Sequence, residues 1–174
     1  MTVEIRALAP DDDRARFGSG DGALDLYFHR YAGQNQFRHH IGVTYVAVEG
    51  TEILGFVTVS ASQLEADTLP TGRRLPPYPV PVLRVARLAT AASARGRGVG
   101  RSLLRFSVEL AERMRDELGC VGLVVDAKPA AVEFYRPFGF VEIGLAEGAA
   151  PQVPRPSAMF LPLSSVPRAR GGRR

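Results

Sequence analysis

A single cysteine, Cys120, in 174 residues rules out an internal disulfide framework. It lies between a helix end and an apolar run, where a buried structural thiol is the expected role rather than a nucleophile. No apolar run approaches the roughly 20 residues that a membrane span requires. The opening MTVEIRALAPDDD has neither a basic flank nor an apolar core, so no signal peptide is read there and the cytoplasm is the expected compartment. The glycines of Arg95-Gly-Arg-Gly-Val-Gly100 are followed by Arg101-Ser102 rather than Lys-Ser/Thr, which excludes a Walker loop. Arginine at position 101 also breaks the GxGxxG spacing of a dinucleotide fold. His39 and His40 are adjacent, and neighbours on a strand point to opposite faces; with no third ligand at metal spacing, no metal site is expected.

What is present is an ordinary globular composition, 45% apolar and 23% charged, in a chain long enough for one domain with a real core. A single domain over 1–163 is expected. The tail 164–174 holds four arginines and no acid, and is expected to be disordered. The net charge of +4 belongs to that tail, because without it 18 basic residues face 18 acidic ones. Charge is nevertheless uneven. Asp11–Asp13 is an acidic run, whereas Arg84–Val108 carries six arginines and no carboxylate. A ligand rich in phosphate explains that band without any polymer.

Periodicity gives the order β-α-β-β-β-α-β-α-β-β, an α/β chain with a mixed sheet and helices on both faces. Strands are predicted at Val3–Leu8, Gly42–Glu49, Ile53–Ser60, Val82–Thr90, Val121–Asp126, Phe140–Leu145 and Ala158–Leu163. The first helix is read at Gly22–Phe37, with Asp21 or Ser19 as its N-cap. The second spans Val99–Leu118, placing Leu104, Ser107, Val108, Ala111 and Leu118 on one side and ending at Gly119. A short third helix begins at Pro129 and runs to Arg136. Leu69–Pro81, with five prolines, is a loop. A strand, a glycine turn and a helix start together form an anion cradle: the glycines admit a phosphate to the backbone, and the first helical N–H groups and the helix dipole meet its charge.

Two motifs in this order resemble those of the GNAT acyl-CoA N-acyltransferases. Arg95, Gly98 and Gly100 match Q/R-x-x-G-x-G/A, and Ala131-Val-Glu-Phe-Tyr-Arg-Pro-Phe-Gly-Phe140 matches A-x-x-F-Y-x-x-x-G-F. The resemblance runs from about Val3 to Leu163 and implies a GNAT fold in which a splayed central strand pair binds acyl-CoA. It implies acetyl-CoA as acyl donor, with the backbone of Leu88, Ala89 and Thr90 along its pantetheine arm. The backbone of Arg95, Gly96, Arg97, Gly98, Val99 and Gly100, with Arg101 and Ser102, would hold the pyrophosphate. For the side chains of Arg95, Arg97 and Arg105 a solvated helix flank is the competing reading, with cofactor contact preferred at Arg95, balanced at Arg97 and less expected at Arg105. Phe134 is counted among the cofactor contacts, and Phe134, Phe138 and Phe140 all read as packing residues. Tyr135 takes the family's general-acid position, protonating the CoA thiolate as it departs. Glu49, Asp126, Glu133, His39 and His40 are candidate bases, none singled out, and an α-amine with a pKa of about 7.7–8.0 needs none.

The N-terminal half narrows the resemblance. Phe17-Gly-Ser-Gly-Asp-Gly-Ala-Leu-Asp25, followed by Ala32, Asn35 and Gln36, is similar to the opening of the tRNA-acylating toxin branch. Thr44-Tyr-Val-Ala47 and Pro79-Val-Pro-Val82 with Ala86-Arg-Leu-Ala89 also fit. That branch implies transfer to the α-amine of an aminoacyl-tRNA, and restraint by a small ribbon-helix-helix antitoxin. The chain departs from the branch at Arg87-Leu-Ala-Thr-Ala91, where R-L-A-V-D is common, and in lacking a basic residue in Gly42–Tyr45. A small-molecule or protein amine is the alternative acceptor, and a non-enzymatic acyl-CoA-binding module the lesser one. A homodimer is common in the family, with Met159, Phe160 and Leu161 as a surface that could serve it.

Overall fold

The computed structural model describes residues 2–70, 74–145 and 155–167. Seven strands take the order β1-β2-β3-β4-β5-β7-β6 in a mixed sheet. They are β1 (Glu4–Ala7), β2 (Val43–Glu49), β3 (Glu52–Leu64), β4 (Val80–Thr90), β5 (Gly122–Ala127), β6 (Val141–Leu145) and β7 (Ser157–Pro162). The α-helices are α1 (Gly22–Leu26), α2 (Val99–Glu117) and α3 (Val132–Tyr135). By packing, the chain divides into two compact units, Met1–Ala61 with Val85–Leu110, and Ser62–Arg84 with Ala111–Arg174.

In the first unit β1 and β2 pair antiparallel, and β2 and β3 form the hairpin expected around Gly50, with Val43 opposite Val59. The core is aromatic: Phe28 stacks on Phe56 at 4.4 Å, and Phe17 closes on both at 5.0 and 5.4 Å. Asp21, not Ser19, caps α1, accepting from the amides of Ala23 and Leu24. The helix then widens into π-helical turns at Tyr27–Tyr31 and Gln34–His39 and stops where His40 adopts φ 54°. His39 and His40 therefore end a helix and do not lie on a strand, the premise on which they were set apart. Gln36 bonds both adjoining segments, donating to the Leu8 carbonyl at 3.1 Å and accepting from the Thr44 amide at 2.9 Å.

Gly55 fixes where α2 begins. A Cβ there would lie 2.8 Å from Val99 Cγ1, 2.9 Å from the Ala89 carbonyl and 3.0 Å from Leu103 Cδ1. Only a glycine on β3 lets the first turn of α2 and the end of β4 come this close.

In the second unit β5 and β7 pair antiparallel from Gly122–Pro162 to Ala127–Ser157, and β6 lies on the other edge of β7. Val82, Val124 and Phe160 form its fully buried centre. Met159, Phe160 and Leu161 are 0%, 0% and 3% exposed, so they are core and offer no surface to a second copy. Leu118 is also misplaced by the periodic reading. The amides of Leu118 and Gly119 both bond the Met114 carbonyl, the helix has ended, and Leu118 is 84% exposed. Cys120 is buried, its thiol donates to the Gly122 carbonyl at 3.2 Å, and burial raises its pKa, which suits a structural thiol. Leu163–Ser165 forms a 3-10 turn after β7, at the head of the expected tail; residues 168–174 lie outside the described residues. Among the described residues no helix is long and apolar enough to cross a membrane.

Candidate active site

The glycine turn lies wholly in the first unit and is built by short-range bonds. A 3-10 turn at Ala92–Ala94 leaves β4, and the Arg97 amide bonds the Ala94 carbonyl at 3.3 Å. Gly96 and Gly98 then take φ values of +80° and +78°, left-handed conformations that disfavour a side chain. The Ser102 amide bonds the Gly98 carbonyl at 3.0 Å, which makes Val99 and Gly100 the first helical positions, whose amides have no intrahelical acceptor. No protein atom lies within 4 Å of where a Cβ would sit on Gly96 or Gly98. The backbone is thus open to close approach by a ligand, and it fits a pyrophosphate laid against a helix start. The first turn of α2 carries no acidic residue to oppose an anion, and Arg101 and Ser102 are exposed there.

The arginine band is less available than its sequence suggests. Arg84 pairs with Asp126 at 3.0 Å and Arg97 with Glu49 at 2.7 Å. Arg87 lies 3.8 Å over the Tyr27 ring, and the Arg95 guanidinium donates to the Ser19 carbonyl. Arg84, Arg87, Arg95 and Arg97 thus have protein partners contributed by distant segments, and carboxylates absent from the band reach it through the fold. Arg105 is exposed on α2. On β4, Ala89 is buried while Leu88 and Thr90 are partly exposed, with the Ala89 carbonyl close against Gly55.

Tyr135 lies in the second unit, at the end of α3 between two 3-10 turns, Pro129–Ala131 and Arg136–Phe138. Its ring is held edge-on by Phe134 at 5.0 Å and Phe140 at 5.5 Å, and Phe138 supports Phe134 at 5.6 Å. The residue is 5% exposed, and burial pushes the phenol well above its ordinary pKa. It therefore keeps its proton at neutral pH, as a general acid must. The carboxylates that had been candidate bases are engaged: Glu49 with Arg97, Asp126 with Arg84, and Glu133 with Arg136 at 3.2 Å. His39 Nε2 lies 3.3 Å from the Gln34 amide. Gly55 had no sequence signal, and the loop Phe17–Asp21, read from sequence as a branch motif and a helix cap, gave no sign that it receives Arg95.

A family model for the acetyltransferase (GNAT) domain matches residues 40–142, spanning the glycine turn and Tyr135. The chain belongs to the GNAT acetyltransferase family. It is an acyl-CoA N-acetyltransferase with acetyl-CoA as donor. Among relatives of this GNAT enzyme, the tRNA-acetylating toxin of Mycobacterium tuberculosis (strain ATCC 25618 / H37Rv) is 31% identical over 136 residues, which cover 78% of this chain and 82% of the toxin. The solved structure of AtaT complexed with acetyl-methionyl-tRNAfMet is similar at TM-score 0.82 and 25% identity, covering 95% and 97% of the two chains. That of AtaTR bound with AcCoA is similar at TM-score 0.76 and 27% identity, covering 94% and 95%.

Proposed function

We propose that this enzyme acetylates the α-amine of an aminoacyl-tRNA and so blocks translation, in the manner of a toxin. The observation that carries the reading is the 31% identity, over most of both chains, to a tRNA-acetylating toxin. The chain's own chemistry supports it. Between Asp25 and Glu49 there is no carboxylate, and all three histidines lie in that interval. Arg30, Arg38, His39 and His40 are exposed along it, together with Tyr31 at 47% and Phe37 at 40%. Basic groups to meet phosphates, interleaved with aromatic rings on which bases stack, suit the single-stranded end of an RNA. A small cationic amine would be repelled by the same surface.

In the reaction the neutral amine attacks the thioester carbonyl; the N–C bond forms, the C–S bond breaks, and the CoA sulfur leaves with the electron pair. Tyr135 delivers its phenolic proton to that sulfur, and the proton released from nitrogen passes to solvent, from which the phenol is restored. The backbone of Arg95–Gly100 holds the pyrophosphate, with Arg101 and Ser102 at the helix start, while β4 at Leu88–Thr90 runs beside the pantetheine. Because the α-amine is partly neutral near pH 7.5, no protein base is required. Action on charged tRNA places the enzyme in the cytoplasm, and a toxin of this kind requires a small neutralising antitoxin, of ribbon-helix-helix type in this reading. A homodimer, if formed, uses a surface other than the buried Met159–Leu161. In cell-free translation, the protein with acetyl-CoA is expected to stop synthesis and Tyr135→Phe to relieve the block. Synthesis that continues unchanged at micromolar enzyme refutes the tRNA acceptor and returns the choice to a small or protein amine.

A further inference from the structure

The glycine turn and the loop before α1 are joined by a set of hydrogen bonds. Arg95 Nη2 donates to the Ser19 carbonyl, and the Ala92 amide donates to the Gly18 carbonyl at 2.9 Å. Arg95 of the turn and Ala92 at its approach thus grip two successive carbonyls of the loop. The next residue, Gly20, has φ +91°, and a Cβ on it would lie 2.9 Å from Arg95 Nη2. Ser19 is 6% exposed; its amide and hydroxyl donate to Asp25 Oδ1 at 2.9 and 2.7 Å, and its hydroxyl accepts from the Asp21 amide at 3.1 Å. Asp21 caps α1, and Asp25 lies within it. Behind the loop, the Phe17 carbonyl meets His29 Nε2 at 2.7 Å. A continuous chain of hydrogen bonds therefore runs from the phosphate turn to the base of the helical stretch 22–39.

We infer that Arg95 is a positioning residue whose guanidinium locks loop 17–21 onto the glycine turn, rather than a ligand of the cofactor phosphates. Through that lock, donor binding at the turn sets the position of the carboxylate-free helical face that meets the acceptor. The inference rests on the assignment of 95–100 as the phosphate turn and of that face as the acceptor surface.

The test combines calorimetric CoA binding, amide exchange and steady-state kinetics on the full chain, for wild type, Arg95→Met, Arg95→Lys and Gly20→Ala. In Arg95→Met, loss of a charged donor on a buried carbonyl is expected to speed exchange of the Ser19, Asp21 and Asp25 amides about tenfold. CoA affinity is expected to change less than about threefold, while KM for the acceptor rises and KM for acetyl-CoA holds. Arg95→Lys, which keeps one donor, should recover part of the loss, and Gly20→Ala should reproduce it with Arg95 intact. Unchanged exchange in 17–25 overturns the inference. So does a tenfold or greater loss of CoA affinity in Arg95→Met with none in Gly20→Ala, since Arg95 would then be a phosphate ligand. Absence of CoA binding in the wild type would refute the phosphate turn itself, a separately readable result.

Discussion

A phenol packed between Phe134 and Phe140 keeps its proton because the phenolate would lose its hydration there. In the proposed reaction the same loss of water would act on a thiolate formed beside it, so burial would not by itself disable the acid and would exclude the competing reaction with solvent. Two consequences can be measured. Tyr135→Phe should lower kcat by about 10²–10⁴-fold, the usual span for a general acid, and leave the melting temperature nearly unchanged because the ring contacts survive. For the wild type, the pH profile should contain only the ionisation of the acceptor. With an α-amine, kcat/KM should climb about tenfold per unit below pH 7.5 and level off above pH 8; with a lysine-type amine the climb should continue towards pH 10. Because the phenol's pKa is raised, no falling limb should appear below pH 10. A descending limb between pH 8 and 9.5 that persists unchanged in Tyr135→Phe would remove Tyr135 from the acid role.

At the scale of elements, glycines do different work in the two units, and substitutions separate them. Gly98 carries a positive φ in open space, while Gly122 has ordinary backbone but no room: a Cβ would fall 2.4 Å from the Leu161 carbonyl and the Phe160 ring. Gly98→Ala should therefore cost about 1–2 kcal/mol of local strain and raise the acetyl-CoA KM, with the fold retained. Gly122→Ala should overpack the β5–β7 pair and cost about 3 kcal/mol, a fall in melting temperature of about 10 °C. Calorimetry alongside initial rates distinguishes the two. The contrast also shows what was legible beforehand. Every strand could be read to within a few residues because apolar and β-branched runs bounded by turn residues are local signals, and Arg95–Gly100 and Phe134-Tyr135 could be read because local spacing carries their geometry. The partners of Arg84, Arg87, Arg95 and Arg97 could not, since each is supplied by a segment remote in the chain, 76 residues away in the case of Ser19. The π-helical turns of 27–39 were hidden as well, because a 3.6-residue period describes only the side that faces the core. Leu118 and Met159–Leu161 were misjudged for a related reason: periodicity states that a residue is apolar, and the ends and pairings of elements decide whether it is covered.

For the molecule as a whole, the electrostatics are local rather than global. The net charge of +4 resides in residues 164–174, and four band arginines are bound to protein groups. The helical stretch after Asp25 exposes Arg30 and Arg38 and carries no carboxylate before Glu49. A polymer held there must release counterions, and a small acceptor need not. The apparent affinity for aminoacyl-tRNA should thus fall steeply as salt rises from 50 to 200 mM, with a log–log slope of about −0.7 to −0.9 for each phosphate neutralised. Replacing Arg30 and Arg38 together by Gln should weaken tRNA turnover and make that slope shallower by about 2, while acetyl-CoA binding keeps its wild-type salt dependence. The comparison within one protein matters, because acetyl-CoA is itself an anion and supplies the internal control. If the double variant retains the full slope for tRNA, the acceptor contacts lie elsewhere. If the wild type shows no slope beyond that of acetyl-CoA, its acceptor is not a nucleic acid.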